Sequence, residues 1–110
     1  MSYVVYVIGN YQNSKFTTYV GHTGNLKKRL DLHNKGKAAK FTRGRYWKVI
    51  YTEKYVTKNE AISREYYIKK NRKFRNFIKK KFGLVKKKLQ YYFLLKTILQ
   101  IPKLAQLRFG

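Results

Sequence analysis

Six consecutive residues near the start of the chain, Tyr3-Val4-Val5-Tyr6-Val7-Ile8, are all β-branched or aromatic. Such side chains suit a pleated surface, and a run without polar alternation describes a strand occupied on both faces. Gly9-Asn10-Tyr11-Gln12-Asn13-Ser14 follows with turn chemistry. Phe16-Thr17-Thr18-Tyr19-Val20 supplies a second strand, ended by Gly21, so the pair reads as a hairpin.

Start and stop signals order the rest. Thr23 or Asn25 caps a helix over residues 26–34, residues 35–46 form a basic loop, and residues 47–52 form a third strand whose alternation is imperfect. Thr57 and Glu60 form a capping box for a helix running to about Lys70. Residues 73–81 add a further helical turn or two, Gly83 breaks the chain, and residues 84–101 read as a final helix before Pro102. The expected fold class is α+β, a small three-stranded antiparallel sheet flanked by helices, with an extra C-terminal helix. At 110 residues the chain makes one domain with a modest core. Residues 1–82 are expected to form that domain, with residues 83–110 an apolar and basic helical extension packed on it.

Charge decides the class of partner. Twenty-seven Lys and Arg against four acids, Asp31, Glu53, Glu60 and Glu65, leave a formal net charge of +23. Self-repulsion of that size points to a polyanionic partner. Nucleic acid comes first, because each phosphate neutralised releases condensed counterions; an anionic membrane surface comes second. From Lys69 to Lys88 eleven of twenty residues are Lys or Arg, and no acid follows Glu65. A run this dense is ordinarily a solvated face. With Lys40, Arg43 and Arg45 it forms a cradle that reads phosphates, while Phe41, Tyr46 and Trp47 offer stacking surfaces to an open strand.

The chain contains no Cys, which excludes disulfides, thiolate zinc sites and Cys nucleophiles. No signal-peptide pattern opens it, and the longest apolar stretch, residues 91–101, is interrupted by Lys96. That stretch falls short of the ~20 residues that span a bilayer. The setting expected is intracellular: cytoplasmic, nucleoid-associated or organellar.

One acid is out of place. Ala61, Ile62, Tyr66 and Ile68 put Glu65 on or beside the apolar stripe of its helix. A carboxylate there loses solvation unless a cation compensates it, and Lys69, four residues on, is the structural candidate.

Taken singly, Tyr6 and Tyr19 are ordinary strand aromatics, Arg29 is a solvated helix charge, and His22 and His33 are surface or helix-end residues. Taken in order, they resemble the GIY-YIG nuclease superfamily. Val4-Val5-Tyr6 stands where that family has Gly-Ile-Tyr, and Tyr19-Val20-Gly21 stands for Tyr-Ile-Gly. The stretch from Gly21 through Asn25-Leu26 to Arg29 matches the family's path into its first helix. Residues 37–45 are similar to the basic segment of the small stand-alone members, and residues 60–69 to their metal-carboxylate helix. The resemblance covers about residues 3–75. Two departures stand out: Val4 replaces the first Gly, and twelve residues separate Tyr6 from Tyr19. A longer hairpin loop absorbs the second while keeping each Tyr on its face. The Asn that many members carry beyond the Glu is either Asn71 or Asn76.

The resemblance implies a metal-dependent endonuclease acting on DNA, similar to the N-terminal nuclease domain of the bacterial repair excinuclease. It implies one divalent cation, Mg2+ or Mn2+, held by Glu65. Tyr6 or Tyr19 would activate water, Arg29 would bind the scissile phosphate, and His33 would contact that phosphate or relay a proton, with His22 beside them. The expected nucleic-acid contacts are Arg29, Lys40, Arg43, Arg45, Lys69, Lys70, Arg72 and Lys73. The apolar C-terminal helix either folds onto the sheet or docks a protein partner or a second copy. The rival reading is a non-catalytic basic protein that binds nucleic acid, RNA- or ribosome-associated. A peripheral membrane protein is a third, and it leaves the Tyr, Arg and Glu pattern unexplained.

Overall fold

The apolar run becomes the middle of a sheet. In a computed structural model that describes residues 2–100, without the side chains of residues 84–86 and 97–100, β1 (Tyr3–Gln12) lies between two antiparallel neighbours. These are β2 (Lys15–Thr23) on one side and β3 (Lys48–Tyr55) on the other. Val5, Tyr6, Val7 and Ile8 are all buried, so the missing alternation reflects cover on both faces.

On one face Val5, Val7 and Val20 pack with Ala61 and Ile68 of α2 (Lys58–Lys70) and with Ile78 of α3 (Arg72–Gln100). On the other, Tyr6, Ile8 and Trp47 pack with Tyr19 and with Leu26 and Leu30 of α1 (Leu26–Asn34). Each buried side chain of this size contributes about 1.5–3 kcal/mol, so a sheet this small draws its stability from both layers. The architecture is α+β, a three-stranded antiparallel sheet flanked by helices, as the sequence predicts.

Several boundaries differ, each for a physical reason. β1 and β2 run through the segment read as a turn and are joined only by Asn13-Ser14, with φ of 54° and 61°. Positive φ at both central positions makes the two-residue hairpin turn whose twist matches its strands. The extra residues between Tyr6 and Tyr19 therefore lie in longer strands, not a longer loop. Gly9 serves packing instead of turning, since a Cβ there would sit 2.8 Å from the Phe16 ring. The Asn10 amide donates to the Tyr46 carbonyl at 2.9 Å, tying the hairpin to the loop before β3. Nor does Gly21 end β2, which continues to Thr23.

In β3, Ile8 pairs with Val49 while Val7 pairs with Tyr51, leaving Ile50 as the extra residue of a bulge. The bulge lets Val49 join the Trp47 cluster while Ile50 and Tyr51 both pack with the valines, which explains the imperfect alternation. Trp47 precedes the strand and is 0% exposed, its indole N–H donating to the Thr42 carbonyl. It is a core residue and offers no stacking surface.

The helix signals fare better. Asn25 caps α1, and the reciprocal Thr57–Glu60 box opens α2. α2 is held to β3 by Glu53, which accepts from Arg64 Nε at 2.8 Å and Nη2 at 3.0 Å, and from the Tyr51 and Tyr55 hydroxyls. Burial alone raises the Glu53 pKa, but these donors outweigh it and hold the carboxyl below its ordinary value. Arg64 neighbours Glu65, so this anchor also fixes where Glu65 sits.

α3 is one helix through Gly83, not two. A glycine in a helix interior costs only about 1 kcal/mol relative to Ala, which the helix-forming residues on both sides absorb. Residues 101–110, where Ile101 and Pro102 fall, lie outside the described residues. The chain divides into two compact units, Met1–Ile78 and Lys79–Gly110. Among the described residues no helix is long and apolar enough to cross a membrane.

Candidate active site

Gly21 stands directly opposite Tyr6 in the β1–β2 pairing. A Cβ at that position would lie 2.6 Å from Tyr6 Cζ, so only glycine lets the ring lie across the strand toward the free edge of β2. There the Tyr6 hydroxyl meets His33 Nε2 at 2.7 Å. His33 sits in the last turn of α1, one turn beyond Arg29, and is fully buried.

The other His33 ring nitrogen, Nδ1, lies 2.9 Å from Thr42 Oγ1, within a single 3-10 turn (Lys40–Thr42). Thr42 Oγ1 is in turn 2.9 Å from the Ala39 carbonyl, which can only accept. The Thr42 hydrogen therefore goes to Ala39, and its oxygen accepts from His33 Nδ1–H. This assigns the neutral ring with its lone pair on Nε2, accepting the Tyr6 proton. The hydrogen-bond chain runs from Tyr6 through His33 and Thr42 to the accepting carbonyl of Ala39.

Both pKa shifts favour that arrangement. Burial pushes Tyr6 up to about 12, outweighing the nearby Arg29 guanidinium, which pulls the other way. Burial first, and the Arg29 charge second, lower His33 below its ordinary value. A depressed histidine favours the neutral ring in the fold. The stability linked to it is fully present above the unfolded value of about 6.5 and is lost as pH falls through the lower folded value.

Arg29 lies against the Tyr6 hydroxyl, and its Nε is buried with no hydrogen-bond partner among the described residues. A charged donor left without an acceptor is destabilising, so an anion arriving there is favoured.

Glu65 approaches from the other face. Flanked by the buried Ala61 and Ile68, its side chain is 17% exposed, and Oε1 accepts from His22 Nδ1 at 2.9 Å. His22 pairs with Val5, which puts it on the valine face beneath α2. Glu65 Oε2 accepts from Lys69 Nζ at 3.3 Å, so the expected pairing forms, with His22 added. The carboxylate lies within electrostatic reach of Tyr6, whose pKa it raises. Lys69 Nζ lies 6.0 Å from the centre of the Tyr19 ring, and that ring meets His33 edge-on at 5.1 Å. Groups from both faces thus converge along the β2 edge: Tyr6, Tyr19, Arg29 and His33 from one, His22, Glu65 and Lys69 from the other.

The other basic residues expected to contact nucleic acid make no hydrogen bond to these groups among the described residues. Lys40 and Arg43 are exposed on the loop, Arg45 lies over Phe41, and Lys70 lies over Tyr66. Arg72 and Lys73 are exposed at the start of α3. Thr42 was not singled out by sequence reasoning. A lone Thr nine residues from His33 carries no periodic or motif signal, and only the folded loop brings them together.

Among the described residues no group of three or more His, Cys, Asp or Glu could form an all-protein metal cage. Glu65 is a lone carboxylate whose Oε2 is held only by a long contact to a half-exposed lysine. That donor set fits a hard divalent cation, which takes few carboxylates and keeps several waters.

Thr42 carries a prediction of its own. Thr42→Val keeps the shape but leaves His33 Nδ1–H without an acceptor, costing about 1–3 kcal/mol. Nitrogen chemical shifts should show His33 losing its single Nδ1–H form, with Thr42→Ser restoring it. An unchanged tautomer in Thr42→Val would refute the assignment.

Known proteins share parts of this chain. The GIY-YIG catalytic domain family matches residues 2–81. A UPF0213 protein of Oceanobacillus iheyensis is 47% identical over 57 residues, 51% of this chain and 66% of its own length. One from Clostridium perfringens is 57% identical over 53 residues, 47% of this chain and 57% of its own. The chain thus matches less than two thirds of the length of these curated relatives. A solution NMR structure of a UPF0213 protein from Bacillus halodurans is 32% identical, covering 78% of this chain and 84% of its own, with a TM-score of 0.38. Nucleases with this domain generally use a divalent metal. Because the matched residues include the hairpin, α1 and α2 that build the β2 edge, the chain belongs to the GIY-YIG family and carries its nuclease-type catalytic domain.

Proposed function

We propose that this chain is an endonuclease that hydrolyses phosphodiester bonds in DNA, with Mg2+ or Mn2+ held by Glu65. The observation that carries the reading is the buried Arg29 Nε, left without an acceptor beside the Tyr6 hydroxyl. A phosphodiester oxygen satisfies that donor, and the guanidinium fork suits a phosphate with two oxygens to offer.

The residues around it then have consistent roles. Tyr6 holds its proton at rest, so it serves as a carrier: it passes that proton to His33 Nε2 as it takes one from the attacking water. Thr42 keeps the receiving nitrogen free, and Arg29 neutralises charge growing on the phosphoryl oxygens. His22 and Lys69 orient the Glu65 carboxylate. The cation, when bound, supplies Lewis-acid stabilisation of the phosphoryl and departing oxygens.

One observation favours a second reading. Both Glu65 oxygens already have partners, as expected of a basic nucleic-acid-binding protein without chemistry. Labelled duplex, flap, junction and single-stranded DNA, and RNA, incubated with Mg2+ or Mn2+, separate the two. The nuclease reading expects products from at least one DNA, and its rival expects binding alone. In both, affinity falls steeply with salt, by a slope of about −0.9 per phosphate contact on duplex, and a flat response would leave the +23 charge unexplained.

A further inference from the structure

The candidate site continues into a column in which two rings, Phe41 and Tyr19, lie between two cations, Arg45 and Lys69. Phe41, in the 3-10 turn, stacks against Tyr19 with ring centres 6.2 Å apart and planes 22° from parallel. The Arg45 guanidinium lies 5.0 Å from the centre of the Phe41 ring, and its Nη1 is buried with no hydrogen-bond partner among the described residues. At the other end Lys69 lies over Tyr19. Phe41 is nevertheless 53% exposed, although it also touches the fully buried Trp47.

We infer that Phe41, backed by Tyr19, is a stacking platform for an unpaired base next to the scissile phosphate: the base takes the ring face that Arg45 now covers, and the displaced guanidinium meets the adjoining backbone phosphate. This rests on the nucleic-acid reading of the site and narrows it to substrates with a single-stranded nucleotide at the cut.

Three observations favour that occupant. An exposed aromatic flanked by cations is what an unpaired nucleotide requires, a π face for the base and positive charge for the phosphate. Tyr19 joins platform to site, since its ring touches both Phe41 and His33. A phosphate on Arg29 therefore has its neighbouring base close to Phe41. In a continuous duplex both faces of each base are already stacked, so the ring has nothing to bind.

The test is equilibrium binding to a labelled single-stranded oligonucleotide and to a blunt duplex of the same sequence, without divalent metal. Phe41→Ala should weaken single-strand binding about tenfold, within the range for one stacked base, and change duplex binding less than about twofold. Phe41→Tyr should keep the parent's affinity for both. Equal losses on the two ligands, a loss on the duplex alone, no loss on either, or a Phe41→Tyr variant as weak as Phe41→Ala overturns the inference. Cleavage plays no part in this measurement. A chain that never cuts but shows the selective Phe41→Ala loss keeps the platform and loses only the nuclease reading. A chain that cuts but shows no such loss does the reverse.

Discussion

Glu65→Gln is expected to lower metal-dependent cleavage by about three orders of magnitude, the scale seen when one major electrostatic group leaves an active site. The amide keeps the size of the side chain and can still bond His22, so the fold should survive. What it loses is the charge that holds a hard cation. Nucleic-acid binding should persist or tighten, because one repulsive carboxylate has left a basic edge. Arg29→Ala should also abolish cleavage, but with weaker binding, since it removes a phosphate contact along with transition-state charge. Cleavage rates with Mg2+ and affinities without it, measured on both variants and the parent, check the pair of signatures. A Glu65→Gln variant that cuts normally would remove Glu65 from the chemistry.

Gly21→Ala should show the second large effect, through geometry alone. The added Cβ would sit 2.6 Å from Tyr6 Cζ, and the ring cannot retreat because Ile8 and Trp47 are packed around it. Overpacking of this kind costs about 1–3 kcal/mol, and a displacement of about 1 Å at the Tyr6 hydroxyl is worth roughly a hundredfold in rate. Gly9→Ala is the control. It also crowds a ring, Phe16, but that ring lies away from the β2 edge site, so stability should fall while cleavage by the folded fraction stays near the parent's. Thermal melts and cleavage assays on the two variants separate the effects. Equal cleavage in Gly21→Ala and Gly9→Ala would mean that Tyr6 placement does not matter.

What was legible in the sequence follows how local each signal is. The covered strand, the Asn25 cap and the Thr57–Glu60 box are set by neighbouring residues, and each appears in the structure. The hairpin turn was misplaced because Gly9 and Asn10 carry turn chemistry, yet one makes room for Phe16 and the other bonds across to Tyr46. Neither use is local. Gly83 misled for the related reason that glycine weakens a helix without obliging it to stop. Tyr6, Tyr19, Arg29, His33 and Glu65, the candidates that converge on the β2 edge, could be singled out by their order along the chain. Their division between two faces of the sheet, the His22 bond to Glu65 and the Thr42 support of His33 could not. Each of those joins residues brought close only by folding. The same holds for Trp47, which reads as a stacking surface in the sequence but is buried by partners, Asn34 and Thr42, that only the folded loop brings to it.

If the β2 edge hydrolyses phosphodiester bonds with a divalent cation, a single time course will show it. The intact chain is incubated with a labelled DNA substrate in Mg2+, and in parallel with the metal removed by chelator. Fragments should accumulate over many turnovers with Mg2+ and stop when it is removed, while the DNA remains bound in both samples. DNA that is bound in both and cut in neither, with Mg2+ or with Mn2+, would contradict the nuclease reading.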